Sequence, residues 1–266
     1  MKGRGQAGCC VQRAFSLIEL LVVMAIIGVL GSLLLGALAS SRFKGKVALC
    51  TSQYRQWGVA ANVYAVDDGR GRLPTVEFPL ASASGYRDLA PWFVASAMGP
   101  MMWSYGIEAP FWFCPARPHG YRLARATTRV LRPGASSMTL ADLTNYWGTQ
   151  ARGFAVIDHS WWVPRPLAGS PYSFPDPRIH PSRSEEGWPT KTEDPAGAIQ
   201  PILSDASYAV WNDTRTGFDG IAGGHPFPPW MTRNLNVLFV DGRVETRGRP
   251  ALQWQVEAWR GSPFVY

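Results

Sequence analysis

Residues 15–39 contain no proline and no basic side chain, and their one ionisable group is Glu19. A long apolar run with nothing to break it excludes a loop and predicts one continuous helix. Residues 1–14 contain no acid, only the bases Lys2, Arg4 and Arg13. The four histidines, His119, His159, His180 and His225, show no His-x-x-x-His spacing, which excludes a metal-hydrolase motif carried on one helix. The chain has no Cys-x-x-Cys, so structural zinc is not expected from the spacing. It has no Gly-x-Ser-x-Gly elbow either, so a triad of Ser207, His225 and Asp241 would have nothing to present its nucleophile. Blocks of like charge are missing too. The formal charge of +7 falls to +4 without the three N-terminal bases, leaving 23 basic against 19 acidic side chains, and no nucleic-acid partner is expected.

What is present begins with the apolar run Phe15–Ala39. As a helix it rises about 1.5 Å per residue and can cross a hydrocarbon core of about 30 Å. It exceeds the apolar core of roughly 7–15 residues found in a cleaved secretory signal. Glu19 is the exception within it. A carboxylate held away from water is costly, by several kcal/mol, and generally has a partner or a function. No base in the run can serve. Cleavage between Ala14 and Phe15 would create an α-amine four residues from Glu19, on the same helical face, able to pair within one chain or between neighbours.

The sequence Phe15-Ser16-Leu17-Ile18-Glu19-Leu20-Leu21-Val22-Val23-Met24 after a short basic leader resembles the class III signal of type IV pilins and type II secretion pseudopilins. The resemblance implies a prepilin peptidase that cuts before Phe15 and methylates its amine. It also implies a role for Glu19, fifth residue from the cut, in pairing with a neighbouring subunit's amine during assembly. Ala14 stands where the family usually has Gly, and Gly36 where many relatives have Pro. Further on, Gly223-Gly224-His225 and Asp241-Gly242 are similar to the His-spacer-Asp-Gly ending of prepilin-like proteins best known from planctomycetes and verrucomicrobia. Here the spacer is lengthened to fifteen residues.

These readings divide the chain into a leader (1–14), a membrane half of the helix (15–39), an outer half (40–66) and a head (67–266) with a Pro-rich surface insertion at about 164–201. The expected class is α+β: a long N-terminal helix packed on an antiparallel sheet. Apolar positions Val47, Cys50, Tyr54, Trp57, Ala61 and Tyr64 form the helical stripe that would meet the head. Asp67 to Pro74 should end the helix. Short helices are expected at Tyr86–Ala97 and Ser137–Tyr146, while Arg122–Leu131 fits helix or strand. A buried strand end is expected at Phe111–Pro115, strands at Gly153–Asp158, Trp161–Val163 and Pro201–Asp205, and a hairpin at Asn234–Glu245 about its Asp-Gly turn.

Cys9 and Cys10 fall in the leader, leaving Cys50 and Cys114 as a candidate disulfide or as two independent thiols. Asp205, Asp213, Asp219 and Asp241 form a candidate calcium set, although their spacing matches no EF-hand. Otherwise no cofactor is expected. His225 and Asp241 are expected to make a structural hydrogen bond between loop and hairpin. Twelve tryptophans suggest core filling, with carbohydrate stacking as the alternative for Trp161, Trp162 and Trp230. The functional expectation is a non-enzymatic pseudopilin or minor pilin whose partners are prepilin peptidase and like subunits. It would sit in the inner membrane with a periplasmic head. Lys/Arg counts flanking the span are level, with Arg42, Lys44 and Lys46 on its far side, so this orientation follows from the resemblance. The alternative function is a membrane-tethered periplasmic enzyme or glycan-binding protein.

Overall fold

The structure is a computed structural model that describes residues 16–79, 89–150, 153–211, 218–226, 232–258 and 262–266. The chain divides into two compact units, Met1–Lys44 and Gly45–Tyr266. Helix α1 (Leu17–Asp67) runs through the boundary. In the first unit, Leu17 to Leu38 expose nearly every large apolar side chain, as a helix made for lipid would. The helix stops where the sequence predicts: Gly69 takes a positive φ of 68°, and its N–H closes onto the Val66 carbonyl at 3.1 Å.

The second unit continues with β1 (Phe93–Ala95), α2 (Met98–Trp103), α3 (His119–Leu131), α4 (Leu140–Gln150), β2 (Phe154–Val156) and β3 (His159–Trp161). Two short strands, β4 (Arg165–Pro166) and β5 (Ser173–Phe174), precede β6 (Leu203–Asp205), β7 (Ser207–Trp211), β8 (Phe218–Gly223) and β9 (His225–Pro226). The hairpin β10 (Thr232–Leu238) and β11 (Val244–Gly248) is followed by β12 (Trp254–Ala258) and β13 (Ser262–Val265). One sheet has the order β11-β10-β6-β3, with β9 also on β10; a second has the order β12-β13-β7-β8. Their ladders are antiparallel, and the class is α+β as expected.

Strand alternation decides which side chains meet α1. Register places His159 opposite Asp205, Trp161 opposite Leu203, and Leu203 opposite Leu238. Because side chains alternate between faces, two parallel rows form on the helix-facing side. The row His159–Asp205–Asn236 is polar and lies against Cys50, Thr51 and Tyr54. The row Trp161–Leu203–Leu238 is apolar and packs with Trp57 and Gly58. At Gly58 a Cβ would stand 3.1 Å from Leu238 Cδ1, so glycine permits the close approach of helix and sheet. The opposite face of the same strands carries Leu235 and Val237 into a second core cluster with Trp162, Trp188, Phe264 and Tyr266.

Trp57 packs edge-on to Trp112 at 4.9 Å, and Trp112 edge-on to Trp147 at 5.0 Å. Trp161 and Trp162 are fully buried with their indole N–H groups satisfied by Pro74 O and Ser204 Oγ. They therefore fill core rather than offer stacking surfaces; Trp230 lies outside the described residues.

Several local expectations are corrected. Within 86–97, Phe93–Ala95 form strand β1 because they pair with Phe154–Val156. At 111–115 a 3-10 turn, Ala109–Trp112, replaces the strand end, with Pro110 preset for its first turn. The Pro-rich segment 164–201 is not merely a surface insertion: it buries Arg165, Leu167, Phe174, Asp176, His180 and Trp188. Trp188 stacks on Trp162 at 5.4 Å and donates to Tyr266 Oη at 2.9 Å.

Candidate functional sites

At the start of α1, Glu19 Oε2 accepts the Ser16 N–H at 2.9 Å. Ser16-x-x-Glu19 is thus one arm of a capping box, in which a carboxylate at the third helical position satisfies an orphan amide. The spacing was readable in the sequence and identifies a local partner for this acid. Ala14 and Phe15 lie outside the described residues.

The second site is in the head. Cys50 on α1, Cys114 after the 3-10 turn, Asp205 at the end of β6 and His225 at the start of β9 converge, although they are far apart in the chain. One ligand atom from each lies within 4.8 Å of the other three, and none of the four residues is more than 1% exposed. Asp205 is the hub. Its Oδ1 accepts Tyr54 Oη at 3.1 Å and meets Cys50 Sγ at 3.6 Å and His159 Nδ1 at 3.6 Å. Its Oδ2 accepts the Asn236 N–H at 2.7 Å and lies 3.0 Å from His225 Nε2.

His225 is held from behind by Asn234 Oδ1, 2.9 Å from Nδ1. The two glycines before it are required by packing. At Gly223 (φ 92°) a Cβ would fall 2.1 Å from Ala206 O, and at Gly224 (φ 55°) it would fall 2.8 Å from Asn234 O. Cys114 donates its N–H to Asp158 Oδ2 at 3.0 Å, while Arg117 Nη2 donates to Asp158 O at 2.6 Å.

The electrostatics follow from burial and pairing. Burial pushes the Asp205 carboxyl up, but the charge of His225 and the contacts with His159 and His225 outweigh it and hold the group well below the ordinary range. Desolvation pulls His225 down, yet the pairing with Asp205 lifts it to about 11. Burial and the Asp205 charge raise the Tyr54 hydroxyl. The Cys50 thiol is raised by its hydrogen bond to Cys114, by burial and by Asp205.

The sequence-predicted residues are redistributed accordingly. Cys50 and Cys114 are neighbours but stand as free thiols. His225 pairs with Asp205 and Asn234 instead of Asp241. Asp241 sits in the exposed β10–β11 turn, where its Oδ1 accepts the Arg243 N–H at 2.9 Å. Of the candidate calcium set, Asp205 and Asp241 are not brought together, since Asp205 is sealed inside and Asp241 faces solvent. Asp219 lies in β8, and Asp213 is outside the described residues. A cavity of about 320 Å³ is lined by Trp92, Arg117, Asp158, Tyr208 and Gly223 and by none of Asp205, His225 and Asp241.

The chain matches the family of the prokaryotic N-terminal methylation motif over residues 10–35. No curated protein and no solved structure matches it. The motif implies a pilin-like protein processed by prepilin peptidase, and its coincidence with the apolar start of α1 is consistent with a membrane anchor.

Proposed function

We propose that the chain is a structural subunit, a pseudopilin or minor pilin, of a type II secretion or type IV pilus-like filament. The observation that carries this reading is the methylation motif lying on a helix whose apolar side chains are exposed all round. Before assembly that surface requires lipid. In a filament, neighbouring helices would cover it, and hydrophobic burial at about 25 cal/mol per Å² would supply the contact energy. In this reading cleavage after Ala14 frees the Phe15 amine, Glu19 pairs with a neighbour's amine and sets the stagger, and the head stays in the periplasm.

The test is Glu19→Val beside Glu19→Gln, in cells that carry the assembly machinery. Both variants should insert and be cleaved to N-methyl-Phe15, seen by mass spectrometry. Both should fail to enter sheared filaments, because neither carries a negative charge. Normal incorporation of Glu19→Val would remove the pairing argument, and an intact Met1 in the mature protein would reduce the helix to a tether.

A further inference from the structure

We propose that Cys50, Cys114, Asp205 and His225 form a structural zinc site that clamps the head half of α1 to the sheet. The inference does not depend on the filament reading, and it departs from the expectation that zinc is absent. That expectation rested on ligand spacing within the chain, whereas here each ligand comes from a different element.

Three observations carry it. The donor set is two thiolates, one imidazole and one carboxylate, which is the four-ligand complement of a closed zinc site; calcium and magnesium would ask for oxygen throughout. The dimensions fit. Zinc bonds of about 2.3 Å to sulfur and about 2.0–2.1 Å to nitrogen and oxygen imply tetrahedral edges of about 3.3–3.8 Å. One donor atom from each of the four residues lies within 4.8 Å of the others, and the Asp205 carboxylate faces both neighbours, with Oδ1 3.6 Å from Cys50 Sγ and Oδ2 3.0 Å from His225 Nε2. Closing the cage shortens its longest edge by about 1–1.5 Å.

Third, a fully buried nitrogen meets the cluster through charge alone. His225 Nε2 has no hydrogen-bond partner of acceptable geometry despite its nearness to Asp205, and it points into the cluster. With Asn234 Oδ1 accepting the Nδ1 proton, Nε2 offers its lone pair to a metal once the proton it holds against Asp205 is displaced, the arrangement that orients metal-bound imidazoles. Tyr54 Oη and the Asn236 N–H hold the carboxylate, and Asp158 anchors the Cys114 backbone. Two thiolates and a carboxylate around a divalent ion leave one negative charge, and the Arg117 guanidinium is the neighbouring cation. Binding would release the two thiol protons and any proton on Nε2. Full burial makes the site structural: no position is open to substrate.

The test uses the full chain, purified in detergent without chelator under reducing conditions. Elemental analysis should find about one zinc per chain, retained on dialysis against EDTA. Cys114→Ser and His225→Gln should each lower that content at least tenfold, and Asp241→Asn should leave it unchanged. As these ligand variants risk misfolding, the wild type is also exchanged into cobalt. A thiolate-to-cobalt charge-transfer band with tetrahedral d–d intensity is expected. Zinc-free wild type that takes up no cobalt, cobalt bound without thiolate bands, or a Cys50–Cys114 disulfide in metal-free protein from the cell would each overturn the proposal.

Discussion

Arg165 lies wholly inside the head, and among the described residues no carboxylate meets its guanidinium. Its Nη1 donates to Trp161 O at 2.6 Å and its charge sits 5.2 Å from the centre of the Phe174 ring, while Nε and Nη2 find no partner. Burial pushes its pKa from the ordinary arginine range down to about 9. At about 1.4 kcal/mol per pH unit this corresponds to about 5 kcal/mol against the buried charge. A charged hydrogen bond returns about 1.5–3 kcal/mol and the ring about 1 kcal/mol. Arg165→Met keeps the stem in the core, removes the charge and leaves one carbonyl without its donor, at about 1 kcal/mol. The expected result is a head more stable by about 1 kcal/mol, whereas Arg165→Ala, which leaves a cavity, should lose stability. Urea unfolding of the full chain in detergent, followed by tryptophan fluorescence, reads this cleanly, since all twelve tryptophans follow Lys44. If Arg165→Met loses more than about 2 kcal/mol, the guanidinium is an anchor, and the reasoning from buried charge to instability fails for this protein.

Gly223→Ala should destabilise the head by more than about 3 kcal/mol by the same assay, because its Cβ would overlap Ala206 O at a positive φ. Gly148→Ala in α4, where a Cβ meets nothing within 4 Å, should be neutral or stabilising by up to about 1 kcal/mol. Asp142 caps α4 through Thr139 and pairs with Arg132, and the hydrogen bond from Arg132 leads the causes that hold its pKa near 2. The folded value lies below the unfolded one of about 3.9, so the contribution is present above pH 4 and is lost as pH falls through 2. Asp142→Asn should therefore lower stability at pH 7 by about 1 kcal/mol, allowing for the half-exposed Arg132, and flatten the acid limb between pH 4 and 2. Parallel acid slopes for wild type and variant would contradict this.

The amino-acid order alone determined the N-terminal apolar helix, its end within Asp67–Pro74 and the Asp241-Gly242 turn, because each depends on neighbours within a few residues. A run without proline and a glycine at positive φ act locally. The β10–β11 hairpin was legible for the same reason, whereas Phe93–Ala95 became strand through pairing with residues some sixty positions away. Partnership at the buried cluster was decided only by tertiary structure. His225 was expected to bond Asp241, the acid that shares its motif, yet sheet register carried Asp205 to it. Cys50 and Cys114 were visible as a pair, but nothing in their spacing tied them to Asp205 or His225. Strand order and the twofold side-chain alternation set those distances, and both arise from contacts between segments far apart along the chain.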